Sequence, residues 1–185
     1  MNLKRIFTRI SAITKITKAV PHLLIVLASA NAFGLESDAE AEMTIQSDRA
    51  EFDKLTGVAV YKGRVILEQG TLLIKADQIT LYSNDDQKLT KSIAVGKPAH
   101  YQQLMEGDEG PTKAQGHTIT YLAEEKIITL LEAAILEQEG NSFSGNKIVY
   151  DIKNENIKAK GDLGDQQNGR IKMTIQPAKT AEVIK

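Results

Sequence analysis

The feature that most constrains this chain is that it repeats itself at an offset of 69 residues. Leu67-Glu68-Gln69 returns as Leu136-Glu137-Gln138, and the same offset lays Ile74 on Phe143, Ala76 on Gly145 and Ile79 on Ile148. Upstream it lays Gln46 on Gln115, Ala50 on Ile119 and Phe52 on Tyr121 without a gap. Two copies of one pattern must build the same elements twice, so the repeat outranks local propensity wherever the two disagree. A shorter unit lies within each copy: Asp48-Arg49-Ala50-Glu51-Phe52 resembles Asp77-Gln78-Ile79-Thr80-Leu81, and His117 and Asn146 begin the later versions.

These units alternate apolar and polar residues, as in Leu72, Ile74, Ala76, then Ile79, Leu81, then Ile148, Tyr150. A period of two is that of a strand with one buried face. Turn chemistry punctuates the runs at Thr56-Gly57, Lys62-Gly63, Gln69-Gly70, Ser83-Asn84-Asp85-Asp86, Gly96-Lys97-Pro98, Glu139-Gly140-Asn141 and Asn154-Glu155-Asn156. Short strands this closely spaced predict an all-β sandwich or roll. Ala123 to Glu139 reads locally as a helix, with Ile127, Ile128, Leu131, Ala134 and Ile135 on one stripe. Its repeat partner, Lys54 to Gly70, is strand-like, so the segment is assigned to strands with a turn near Glu132 and Ala133, opposite Gly63 and Arg64. Ser92 to Leu104 is expected to form a hairpin about Gly96-Lys97-Pro98, and Met105 to Thr112 a mobile surface loop. Ile171, Met173 and Ile175 alternate as a last strand closed by Pro177, and residues 178–185 read as a frayed tail.

The first 32 residues carry Lys4, Arg5, Arg9, Lys15 and Lys18 without an acid, followed by an apolar run from Ala19 to Ala30 and small residues. This is the pattern of an export signal, with cleavage expected after Ala32; an uncleaved membrane anchor would need roughly 20 apolar residues. Removal leaves 153 residues (185 − 32) with 18 basic (23 − 5) and 24 acidic side chains, a charge near −6. Nucleic acid, which demands a clustered basic face, is not an expected partner. Residues 33–177 suffice for one domain with a real core, and the chain has no cysteine, so no disulfide staples it.

Raw material for catalysis is scarce. His22 leaves with the signal, and His100 and His117 have no motif spacing with carboxylates. Asp85-Asp86, Glu106-Asp108-Glu109 and Glu124-Glu125 fall in expected turns, and Asp162 to Gly169 lacks the full calcium-loop pattern. The Asp48, Asp77, Asn146 series is expected to bond backbone amides at strand entries. No enzyme activity, metal or cofactor is expected. The apolar faces remain, and by periodicity alone they read as a closed core, with a lipid groove as the alternative.

The order of motifs is more specific: Ile45-Gln46-Ser47-Asp48, then Lys62-Gly63-Arg64-Val65-Ile66-Leu67-Glu68-Gln69-Gly70, Ile74-Lys75-Ala76-Asp77, Gly96-Lys97-Pro98-Ala99-His100-Tyr101 and Gly145-Asn146-Lys147-Ile148-Val149-Tyr150. This succession resembles the LptA/OstA family, from which Ala123 to Glu139 departs by lacking the usual glycine-containing hairpin. The resemblance implies an open antiparallel β-jellyroll in the periplasm, here built from an internal duplication, whose interior accepts the acyl chains of lipid A from lipopolysaccharide. It implies head-to-tail stacking by strand addition, with an inner-membrane LptC-like protein and an outer-membrane LptD-like protein as further partners. Carried over by position, the groove comprises Met43, Ile45, Phe52, Leu67, Ile74, Leu81, Tyr101, Tyr121, Leu136 and Phe143, with Lys75, Lys97 and Lys147 as candidates for phosphate contacts. The docking strands would be Glu42 to Gln46 and Ile171 to Gln176, exposing Met43, Thr44, Ile45, Ile171, Met173 and Ile175. A membrane-anchored LptC-like relative and a structural β-protein with a closed core are the rival readings.

Overall fold

Ten strands arise from the alternating segments in a computed structural model that describes residues 36–107, 110–162 and 169–177. The segment expected to be an export signal and the expected tail beyond residue 177 lie outside the described residues. After a single helical turn, α1 (Glu36–Glu40), come β1 (Met43–Gln46), β2 (Arg49–Asp53), β3 (Val58–Gln69), β4 (Leu72–Ser83) and β5 (Leu89–Leu104). The second half supplies β6 (Pro111–Leu122), β7 (Ile127–Gln138), β8 (Asn141–Asp151), β9 (Asn156–Lys160) and β10 (Lys172–Thr174). They form one antiparallel meander in the order β1-β3-β4-β5-β6-β7-β8-β10, with β2 beside β3 and β9 beside β8.

The long strands are interrupted at matching places. Pairing slips between Lys62 and Val65, Lys75 and Gln78, Val95 and Ala99, Gln115 and Thr118, and Leu131 and Ala134. At one edge the same line separates β1 from β2; at the other it separates the β10-paired and β9-paired halves of β8. Bulges bend a strand and increase its twist. A row of them across every strand folds the sheet over, so that side chains from both halves join one apolar core that includes Val65, Ile79, Ile128, Leu130, Leu136, Ile148 and Tyr150. Burying a side chain of this size contributes about 1.5–3 kcal/mol. The result is the expected all-β, open antiparallel roll, with unclosed edges at β1/β2 and β9/β10.

The duplication is visible in the backbone. β3 and β7 are related by the 69-residue offset, and positive φ recurs at Gly57 (66°) and Lys126 (55°), Gly63 (83°) and Glu132 (59°), Arg64 (47°) and Ala133 (52°), and Gly70 (57°) and Glu139 (49°). The repeat therefore overrides helical propensity in Ala123 to Glu139, as expected. The turn assigned to Glu132 and Ala133 is corrected: β7 runs through it, and those residues are a bulge, as are Gly63 and Arg64 in β3. The hairpin expected at Gly96-Lys97-Pro98 is likewise one continuous strand with a bulge. Gly96 is needed there because a Cβ would sit 2.8 Å from the Ala99 amide nitrogen. The loop expected from Met105 to Thr112 is shorter, since Met105 and Thr112 are buried and β6 begins at Pro111.

Asp48 and His117 occupy equivalent places, and Asp48 does not play the expected amide-capping role by its side chain. Asp48 accepts from the Arg64 guanidinium, and His117 Nδ1 lies 3.0 Å from Glu132 Oε2, so a polar pair straddles the bulge in each copy. The hydrogen bond from Arg64 is the largest influence on the exposed Asp48 carboxyl and, helped by the charges of Arg64 and Arg49, outweighs desolvation and holds it below its ordinary range. Ala133 is exposed and strained, because an L-residue in the left-handed region costs about 1–2 kcal/mol. Ala133→Gly is expected to stabilise the protein by roughly 0.5–1 kcal/mol after the extra chain entropy of glycine is offset. Thermal unfolding measures this as a rise of a few degrees.

Candidate functional site: an apolar interior between two sheet halves

Strand register places the interior side chains in rows that run from one open edge to the other. In one half of the fold the row reads Ile45, Leu67, Ile74, Tyr101, Ala114, Leu136, Phe143, Met173. In the other half it reads Phe52, Ala59, Leu81, Ser92, Tyr121, Ile128, Tyr150, Ile157. Nine of the ten groove residues expected from sequence fall on these two rows, and Met43 lies two residues before Ile45 on the same face.

The rows meet at a cavity of about 130 Å³ whose wall includes Leu67, Ile74 and Tyr101 from one row and Leu81, Ser92 and Tyr121 from the other. Met43, Leu72, Leu89, Gln69 and Gln103 complete it. Six of the expected residues therefore converge: Met43, Leu67, Ile74, Leu81, Tyr101 and Tyr121. The remaining four lie elsewhere. Ile45 is half-buried against the core, Leu136 is fully buried within it, and Phe143 lines a separate mouth of about 370 Å³ beside Glu106, Glu139 and Glu155. Phe52 is 67% exposed on the edge strand β2, where no neighbour follows to cover it. Sequence reasoning missed Leu72, Leu89, Ser92, Gln69 and Gln103. The two leucines were legible as inward members of their strands; Ser92 and the two glutamines carry no apolar signal.

The wall is uncharged. Burial pushes the Tyr101 phenol far above its usual range, with Tyr121, Tyr150 and Asp38 nearby adding to the shift, and burial also raises Tyr121. Tyr101 stays protonated and donates to Gln103 Oε1 at 2.6 Å. Gln103 Nε2 in turn donates to the buried Asp38 carboxylate of α1 at 2.9 Å. Lys75 is not at this mouth: it is exposed on the outer face, in a depression it shares with His100, Lys113 and Glu137.

At both ends the interior face is left uncovered. Met173 and Ile175 beside β8, and Ile171 just before them, are 55%, 65% and 54% exposed, and Phe52 is the counterpart at the other end. Met43, Thr44 and Ile45 belong to β1, an edge of the sheet; Met173 belongs to β10, the opposite edge, and Ile171 and Ile175 flank it. An open edge leaves backbone donors and acceptors unpaired.

Residues 44–156 match the model of the family described as LptA/(LptD N-terminal domain) LPS transport protein. Among curated relatives, the lipopolysaccharide export system protein LptH of Pseudomonas aeruginosa is 39% identical over 159 residues, covering 84% of this chain and 91% of the relative. Lipopolysaccharide export system protein LptA of Escherichia coli strain K12 is 28% identical over 138 residues, covering 74% of each chain. The crystal structure of P. aeruginosa LptH, described as the LptA-homologous periplasmic component of the conserved lipopolysaccharide transport device, superposes with a TM-score of 0.67 at 39% identity, covering 76% of this chain and 99% of that one. With the family model spanning most of the described strands and a relative this similar over nearly its whole length, this chain belongs to the LptA/LptD N-terminal domain family of LPS transport proteins.

Proposed function

We propose that this protein is a non-enzymatic periplasmic carrier that takes the acyl chains of lipopolysaccharide between its two sheet halves and stacks end to end to extend that path between membranes. The observation that carries the reading is the pair of apolar rows reaching both open edges without an intervening charge. Each buried methylene contributes about 0.8 kcal/mol, so a few per chain suffice for useful affinity. Relatives named for lipopolysaccharide export supply the cargo, and the terminal copies would dock on LptC-like and LptD-like proteins through the same edges. Residues 1–32 would act as the export signal, removed near Ala32. Native mass spectrometry of the exported protein with lipopolysaccharide is expected to show a complex; its absence would overturn the reading.

Stacking by strand addition predicts a register. If the rows continue from copy to copy, β9 lies antiparallel to β2 of the next copy, with Ile157 opposite Phe52 and Ala159 opposite Ala50, while Met173 of β10 faces Ile45 of β1. Lys158 then faces Glu51, an opposite-charge cross-strand pair. A C-end to C-end joint would instead set Lys158, Lys160 and Lys172 against themselves. The chain has no cysteine, so Ala50→Cys with Ala159→Cys reads the joint cleanly. Oxidation is expected to yield a ladder of linked multimers, and Ala50→Cys with Ile157→Cys much less. Monomers only, in sedimentation and cross-linking alike, would contradict stacking.

A further inference from the structure

Among the described residues Asp38 is the only buried charged side chain. It sits on α1, a helix of five residues that is too short to hold its own shape in water. Asp38 Oδ1 accepts from the Thr71 amide at 2.8 Å, and Oδ2 accepts from the Thr71 hydroxyl at 2.5 Å and from Gln103 Nε2 at 2.9 Å. Thr71 Oγ1 accepts from the Leu104 amide at 3.2 Å, which ties the same cluster to the end of β5. Gly70 makes the approach possible: its φ is +57°, and a Cβ there would collide with the Asp38 carboxylate.

These bonds reach the cavity itself. Besides its two tyrosines, its wall contains three polar side chains, Gln69, Ser92 and Gln103. Two of them are tied to the segment just before β1, since Gln69 Nε2 donates to the Ala41 carbonyl at 3.2 Å and Gln103 donates to Asp38. Through Gln103 the tie extends to the Tyr101 hydroxyl. At about 130 Å³ the cavity is well below the ~300–1,000 Å³ of ordinary ligand sites, so its walls must part to admit an acyl chain. A contact made of hydrogen bonds can exchange them for water as it opens, which an apolar plug cannot do.

We infer that Asp38 is a positioning residue for the lipid cavity: acting through Gln103 and Tyr101, it latches the α1 segment against the β3–β4 turn and keeps the mouth narrow until lipid enters. The inference rests on the lipid-carrier reading and adds the part that moves. The probe is the environment-sensitive dye N-phenyl-1-naphthylamine, mixed rapidly with the exported protein. Asp38→Asn keeps the shape of the side chain but removes its charge, and is expected to admit the dye about tenfold faster, the factor that one charge-assisted hydrogen bond sets.

A second variant guards against a merely structural effect. Asp38→Cys with Thr71→Cys creates the only two thiols in the chain, at side chains already in contact. Oxidised, this variant is expected to take up dye at least tenfold more slowly than the same molecules after reduction; loss of structure alone would not be toggled by reductant. Equal rates in the oxidised and reduced forms, or an Asp38→Asn rate equal to that of the unaltered protein, would overturn the latch while leaving the carrier reading in place. Failure of every form, including the unaltered one, to bind either dye or lipopolysaccharide would overturn both.

Discussion

Ser92→Phe is expected to weaken lipopolysaccharide binding at least tenfold while leaving the protein folded. Ser92 is 6% exposed, sits between Leu81 and Tyr121 in the second apolar row, and lines the cavity. A cavity of roughly 150 Å³ accommodates a benzene ring, so the phenyl group enters space that is already present rather than forcing the core apart. Overpacking should cost no more than about 1–3 kcal/mol, leaving most of a domain's stability in place. The ring then occupies the volume where the first acyl methylenes would be buried. Binding by a titration with purified lipopolysaccharide should fall at least tenfold, which corresponds to losing about two methylenes at ~0.8 kcal/mol each. Unchanged affinity would place the lipid elsewhere.

Leu136→Ala should act in the opposite manner, costing stability far more than any local contact at the cavity. Leu136 has no exposed surface and is hemmed in by Ala114 and Phe143 across the strands. Removing a buried leucine side chain typically costs about 2–5 kcal/mol because the transfer free energy is lost and a void remains. For a domain of this size, 3 kcal/mol lowers the unfolding temperature by roughly 6–12 °C. Thermal unfolding followed by circular dichroism measures it. A drop below about 1 °C would mean that the two halves of the sheet are not packed at that point, and that the interior there is loose groove instead of core.

How much of this was legible in the sequence depended on whether a signal was relational or local. The 69-residue offset carried the strands through Ala123 to Glu139, where Ile127, Leu131 and Ala134 by themselves spell a helix. It also foretold that Glu132 and Ala133 would share the backbone of Gly63 and Arg64. What it could not say was whether that backbone reversed the chain or only bent it, because a turn and a bulge use the same left-handed residues. Gly96-Lys97-Pro98 misled because glycine and proline mark bends inside a strand as well as reversals of the chain: it looks like the tip of a hairpin and is a bend inside β5. The expected groove residues came from resemblance, and strand period identifies the face of a strand but not its neighbours. Phe52 shares the register of an inward row yet lies exposed at the sheet edge, while Gln69 and Gln103 carried no signal until pairing placed them at the cavity. Asp38 gave no signal at all, since an aspartate in ESDAE reads as solvated surface.

The central claim is that lipid lies between the two halves of the sheet, against the apolar rows. It is tested most directly by placing a photo-reactive amino acid at Tyr121 or Phe143, on the interior rows, and separately at the exposed Lys75 or the half-buried Ser144, on the opposite face of the same sheet, and irradiating each protein with lipopolysaccharide. Adducts are expected from Tyr121 and Phe143 and not from Lys75 or Ser144. Equal labelling from both faces, or labelling from the outer face alone, would contradict the account.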